Sequence, residues 1–266
     1  MAVHSTQRAG AKIVYEVRGS GPALVLLHPF PTNRHFFDPL MPALESRYRL
    51  ILPDLRGHGE STTGDGASMA NHAADLQQIC RDCEVERSAF VGVSIGGYLL
   101  FEFWRRFKSH VALLVLSNTR AQADSDEGRA NRLKAAEDVE KNGIAAFLDA
   151  AILKLMGEST RRNRPDIVTR ARSMMDTMNR EGLAAVQRGM AARPDSVSTL
   201  NTIDVPALII CGEEDAFVPA EDAALMNKKI AGSQMVAIPQ TGHYTPLERA
   251  EEFLQVLRPF LDRHRW

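Results

Sequence analysis

Six short runs carry most of the fold information: Ala23 to His28, Tyr48 to Asp54, Ser88 to Ser94, Val111 to Asn118, Val205 to Gly212 and Gln234 to Pro239. Most are apolar on both faces. A strand with no polar side must be covered above and below, which is the condition of a parallel sheet sandwiched between helices. Helical apolar spacing fills the gaps at Ala67 to Cys83, Ile95 to Phe107 and Leu247 to Leu261. Strand, helix and strand in succession imply right-handed crossovers and a mostly parallel, doubly wound α/β sheet. "AKIVYEVRG" alternates instead, which predicts an antiparallel edge strand.

The alternation stops between residues 120 and 200, where no strand pattern occurs. Four helical candidates fill the gap: "DEGRANRLKAAEDVEKNG" and "IAAFLDAAILKLMG", each closed by a Gly, then "PDIVTRARSMMDTMN" and "EGLAAVQRGMAAR". The expected organisation is a core of residues 1–119 and 201–266 with a helical insertion at 120–200. Five of the ten methionines fall in the insertion: Met156, Met174, Met175, Met178 and Met190. Methionine adapts to irregular apolar shapes. Met156 and Met178 are therefore candidate pocket residues, and ordinary helix packing is the competing reading.

Charge excludes some functions. The 32 basic and 33 acidic side chains nearly cancel, so neither nucleic acid nor a membrane surface is an expected partner. "MAVHSTQRAG" lacks the apolar core of a secretory signal, and a cytoplasmic location is expected. Three cysteines do not make a disulfide framework, and "CRDC" (Cys80 to Cys83) has no second ligand pair at metal spacing. No metal and no cofactor are expected.

The chemistry concentrates where the third run meets a helix. Gly92-Val93-Ser94-Ile95-Gly96 is G-x-S-x-G. A serine at such a junction occupies a sharp, strained turn with its hydroxyl above the carboxyl edge of the sheet. Glycines two residues to either side let strand and helix pass. The helix starting at Ile95 brings unpaired N–H groups and a partial positive charge beside Ser94, half of an oxyanion hole.

A serine nucleophile needs a base, and the base an orienting acid. Of eight histidines, His243 in "PQTGHYTPLE" sits in a loop between the last strand and the last helix. His28, at a strand end, reads as a structural hydrogen-bonding residue, and His58 lies in a turn. His4, His35, His72, His110 and His264 read as surface residues. The acid comes from "CGEEDAFVP": Asp215 is the choice, with Glu213 and Glu214 as competitors. The second oxyanion donor comes from "HPFPTNRHFF", where Phe30 carries the one N–H between two prolines.

Five motifs in this order resemble the α/β-hydrolase superfamily, in its branch with a helical cap, over about Lys12 to Leu261. "HPFP" is similar to the family's oxyanion turn, "PDLRGHGES" to its D-x-R-G-x-G-x-S turn, "GVSIGG" to the nucleophile elbow, "GEEDAFVP" to the acid turn and "TGHYTPLE" to the histidine loop. Pro29 replaces the usual Gly after the first His. The resemblance implies Ser94 as nucleophile, Asp215 as acid, His243 as base, and the N–H groups of Phe30 and Ile95 as the oxyanion hole. It further implies an enzyme acting on a small or medium carboxylic ester or lactone, in the manner of 3-oxoadipate enol-lactonase-like hydrolases and small carboxylesterases. Arg120 would meet a substrate carboxylate; Arg161, Arg162 and Arg164 are weaker candidates. Cofactor-free perhydrolysis or haloperoxidation, carbon–carbon bond hydrolysis and a non-catalytic ligand receptor are the alternatives on one scaffold. The apolar cap offers a surface for a homodimer.

Overall fold

A computed structural model describes residues 2–264 and 266. Its centre is one eight-stranded sheet of order β1-β2-β4-β3-β5-β6-β7-β8. The strands are β1 (Ala2–Arg8), β2 (Ala11–Arg18), β3 (Ala23–Leu27), β4 (Arg49–Pro53), β5 (Ser88–Val93), β6 (Val111–Ser117), β7 (Ala207–Gly212) and β8 (Gln234–Ile238). From β4 to β8 every pairing is parallel, while β2 runs antiparallel to both its neighbours.

Helices α1 (Met41–Leu44), α2 (Met69–Asp82), α3 (Ile95–Phe107), α10 (Ala220–Lys229), α11 (Thr245–Glu248) and α12 (Ala250–Arg263) belong to the layers around the sheet. Alternation along β3 shows how the two faces are used. Val25 and Leu27 join Leu76, Ile79, Leu99, Phe103 and Met226 of α2, α3 and α10. Leu24 and Leu26 join Phe36, Leu44, Phe253, Leu257 and Phe260 on the other side. Both faces are covered, as strands without a polar side require.

Between β6 and β7 the chain forms α4 (Asp126–Asn142), α5 (Ala145–Leu155), α6 (Glu158–Asn163), α7 (Pro165–Met175), α8 (Arg180–Ala191) and α9 (Val197–Leu200). The N-terminus of α4 is capped by the Ser125 hydroxyl on the Gly128 N–H, and its C-terminus ends at Gly143 with φ 87°. Among the described residues no helix is long and apolar enough to cross a membrane.

Two expectations need correction here. The second strand is not the sheet edge: β1 pairs along its whole length outside it, from Ala2 opposite Val17 to Arg8 opposite Ala11. "AVHSTQR" is mostly solvent-exposed, so it carries no apolar face for a pattern to reveal. Its strand state comes from partner pairing through the two-residue turn Ala9–Gly10, both at positive φ. His72, expected at the surface, is buried. It lies on the inward stripe of α2 with Met69, Ala73, Leu76 and Ile79. His58, read only as a turn residue, is buried as well.

Candidate active site

Ser94 occupies the turn from β5 into α3 with φ 54° and ψ −113°, a conformation that costs a non-glycine residue backbone strain. Four bonds fix that turn, one of them the 3.2 Å bond from the Tyr98 N–H to the Ser94 carbonyl. Ser94 N–H donates to the Ser117 carbonyl at 3.0 Å, and its carbonyl accepts from the Thr119 hydroxyl and the Gly97 N–H, each at 2.8 Å. The flanking glycines are steric necessities. A Cβ on Gly92 would lie 2.6 Å from the Gly96 carbonyl, and one on Gly96 would lie 2.5 Å from the Leu27 carbonyl oxygen.

The loops after β7 and β8 meet beside this turn. His243 Nδ1 is 2.8 Å from Asp215 Oδ2, with both side chains buried. Every face of that carboxylate is used. Oδ2 also accepts from Asn118 Nδ2 at 3.0 Å, and Oδ1 accepts from the N–H groups of Phe217 at 2.8 Å and Val218 at 3.0 Å. Burial alone would raise the Asp215 pKa. The adjacent His243 and the donors around the carboxylate outweigh it and hold the pKa below the ordinary aspartate value. The competitors go elsewhere: Glu213 is exposed, and Glu214 accepts from the N–H and hydroxyl of Ser159.

The loop after β3 is fixed through one carbonyl. His28 Nε2 accepts from Leu55 N–H at 2.9 Å, so its proton sits on Nδ1, which donates to Pro29 O at 3.0 Å. The N–H and the hydroxyl of Thr32 donate to the same oxygen. In a planar trans peptide the C=O and N–H point opposite ways. Anchoring Pro29 O therefore aims the Phe30 N–H in the opposite direction. His58 supports the Phe30 ring edge-on at 5.8 Å.

Ser94, His243, Phe30, Tyr98, Arg120 and Phe217 share the wall of one cavity of about 500 Å³. The insertion supplies the opposite wall: Gly128, Asn131, Arg132 and Ala135 from α4, Phe147, Ala151, Lys154 and Leu155 from α5, and Gln187 and Met190 from α8. Among the described residues no three His, Cys, Asp or Glu side chains cluster as metal ligands would.

A family model described as the alpha/beta hydrolase fold matches residues 22–250. The chain belongs to this family. Among curated proteins it is similar to 3-oxoadipate enol-lactonase 1 of Acinetobacter baylyi, 26% identical over 97% of each chain. Among solved structures it is similar to a thermophilic esterase from Thermogutta terrifontis, 36% identical with a TM-score of 0.93, covering 96% of this chain and 95% of that one. It is also similar to the enol-lactonase of Burkholderia xenovorans LB400, 25% identical with a TM-score of 0.90, covering 97% of this chain and 100% of that one.

Within this α/β hydrolase, two expected pocket residues are misplaced. Met156 and Met178 do not line the cavity but are buried in the apolar layer with Leu148, Ile152 and Met175. Met156 follows the last turn of α5 and Met178 sits in the turn before α8. Met190 is the insertion methionine that does. Arg161, Arg162 and Arg164 are exposed and off the cavity wall, the last two paired with Glu158 and Asp166. Arg120 is on the wall, with its guanidinium 3.2 Å from Asp222. Asn118, Phe147 and Phe217 were not singled out from sequence. The spacings 128, 131, 132, 135 and 147, 151, 154 are each one helix face, the signal that would have found the cap wall.

Proposed function

We propose that this protein hydrolyses a carboxylic ester or lactone through an acyl-enzyme on Ser94. The observation carrying this reading is the 2.8 Å contact of a fully engaged Asp215 with His243, which shares the wall of one cavity with Ser94. With Nδ1 committed to Asp215, Nε2 is the nitrogen available to the serine hydroxyl. As Oγ attacks the carbonyl carbon, its proton passes to Nε2, and the carbonyl oxygen takes the displaced electron pair. The N–H groups of Ile95 and Phe30 would stabilise that oxyanion. The C–O bond to the leaving alcohol then breaks, and His243 returns the proton to it. In the second half a water gives a proton to His243 and attacks the acyl carbon, and Oγ leaves with that proton.

The wall also bears on substrate class. Arg120, Arg132 and Lys154 line the cavity against one acid, Asp124. Arg120 is paired with Asp222 and Asp124 is shared by Arg132 and Arg193, while Lys154 has no ion pair among the described residues. The surplus positive charge favours an ester or lactone that carries a carboxylate. The names of the similar proteins, an esterase and two enol-lactonases, support ester or lactone hydrolysis. A panel of p-nitrophenyl esters, neutral and carboxylate-bearing at matched length, tests it. A KM about five-fold lower for the charged member, lost in Lys154→Glu, is expected. No turnover of any ester or lactone would overturn the reading.

A further inference from the structure

Glu248 ends α11 as a buried carboxylate with no ion pair among the described residues. Its side-chain oxygens are filled by backbone N–H groups instead. Oε1 accepts from Gly242 and Tyr244, each at 3.1 Å, and Oε2 accepts from Gly157 at 2.9 Å and again from Gly242 at 3.1 Å. Two of these three donors flank His243 in sequence. The third belongs to the insertion, at the start of α6.

A second bond ties the same segments. His243 N–H donates to the carbonyl of Leu155, the last residue of α5, at 2.9 Å. The junction has no slack. A Cβ on Gly157 would fall 2.7 Å from Gly242 N, and one on Gly242 would fall 2.3 Å from Gly157 N. A desolvated carboxylate stays buried at tolerable cost only while its acceptors are filled, so these amides are held to it strongly.

Glu248 does not line the cavity, so any effect on the reaction passes through the backbone. We infer that Glu248 is a positioning residue: by binding the peptide N–H groups on both sides of His243 and that of Gly157, it sets the imidazole in register with Ser94 and couples that register to the cap. The inference rests on the acyl-enzyme reading above. A displacement of about one ångström at a reacting group is enough to cost about a hundredfold in rate.

The test compares wild type with Glu248→Gln, which keeps the volume but turns one acceptor into an N–H₂ facing a peptide N–H. Two quantities are measured on folded protein: kcat and KM for p-nitrophenyl acetate, and the rate at which a fluorophosphonate modifies Ser94. The expected result is a 10- to 100-fold loss in kcat, a matching loss in the modification rate, and KM within about threefold of wild type. If the glutamine variant does not fold, Glu248→Asp decides, since its shorter carboxylate keeps the charge but cannot reach all three amides. It should show a smaller loss with the same split between kcat and KM. A folded variant with wild-type kcat, or a loss confined to KM, overturns the role of Glu248 while leaving the acyl-enzyme intact. Wild type that is not modified at Ser94 overturns the acyl-enzyme reading, and this inference with it.

Discussion

Asp215 Oδ2 lies 2.8 Å from His243 Nδ1, and the aspartate side chain has no solvent exposure. An aspartate so placed fixes both the tautomer and the orientation of the imidazole. Asp215→Asn keeps the shape but presents either an N–H₂ or a neutral oxygen to Nδ1. Steady-state kinetics on p-nitrophenyl acetate should show kcat reduced by about two to four powers of ten. Glu213→Gln should stay within a few-fold of wild type, since Glu213 is exposed. Near-normal activity in the Asp215 variant would hand the acid role to another carboxylate.

The elbow predicts a stability effect that runs against helix propensity. Alanine is favoured over glycine by about 1 kcal/mol inside a helix. Yet Gly96→Ala places its methyl 2.5 Å from the Leu27 carbonyl oxygen, a backbone atom of the adjacent strand. Overpacking of this kind costs about 1–3 kcal/mol. Calorimetry should find Tm lowered by about 3–10 °C for a chain of this size. An unchanged or raised Tm would show that β3 and α3 are not in this contact.

How much of this was written in the sequence depends on the range of the interaction. The convergence of the loops after β5, β7 and β8 was legible because all three leave parallel strands at one edge, and strand direction follows from alternation with helices. The contact between Asp215 and His243 follows from that topology. Burial of His72 was also legible in principle, from its helical spacing with Met69, Ala73 and Leu76. What was not legible depends on partners remote in sequence. β1 has no apolar face, and its strand state comes from β2. Met156 and Met178 have the right chemistry for a pocket, but their direction is set by how α5, α7 and α8 lie against one another. Asn118, a polar residue just after an apolar strand, gave a weak signal whose meaning appears only with Asp215 and the Gly242 carbonyl in place.

Three buried histidines make the fold sensitive to acid. Burial pushes the pKa of His28 and of His72 down to about 3 and that of His58 well below its ordinary value. In the unfolded chain each would titrate near 6.5. Between those limits the unfolded state binds more protons, so their contribution is complete above about pH 6.5 and is lost as pH falls toward about 3. With all three charged in the unfolded chain, the slope reaches about 4 kcal/mol per pH unit. Against a typical stability of about 5–15 kcal/mol, acid unfolding should occur between about pH 3 and 5. Circular dichroism across pH 7 to 3 checks this. His72→Phe should move the midpoint to lower pH, and an unmoved midpoint would exclude His72 as a source of the sensitivity.

The central claim is that Ser94 becomes covalently acylated. Rapid-quench mixing of stoichiometric enzyme with a slowly hydrolysed p-nitrophenyl ester, followed by peptide mass spectrometry, tests it most directly. The account predicts a burst of about one p-nitrophenol per chain, a mass increase equal to the acyl group on the peptide containing Ser94, and loss of both in Ser94→Ala. A burst that survives in Ser94→Ala, or an acyl group found on another residue, would contradict it.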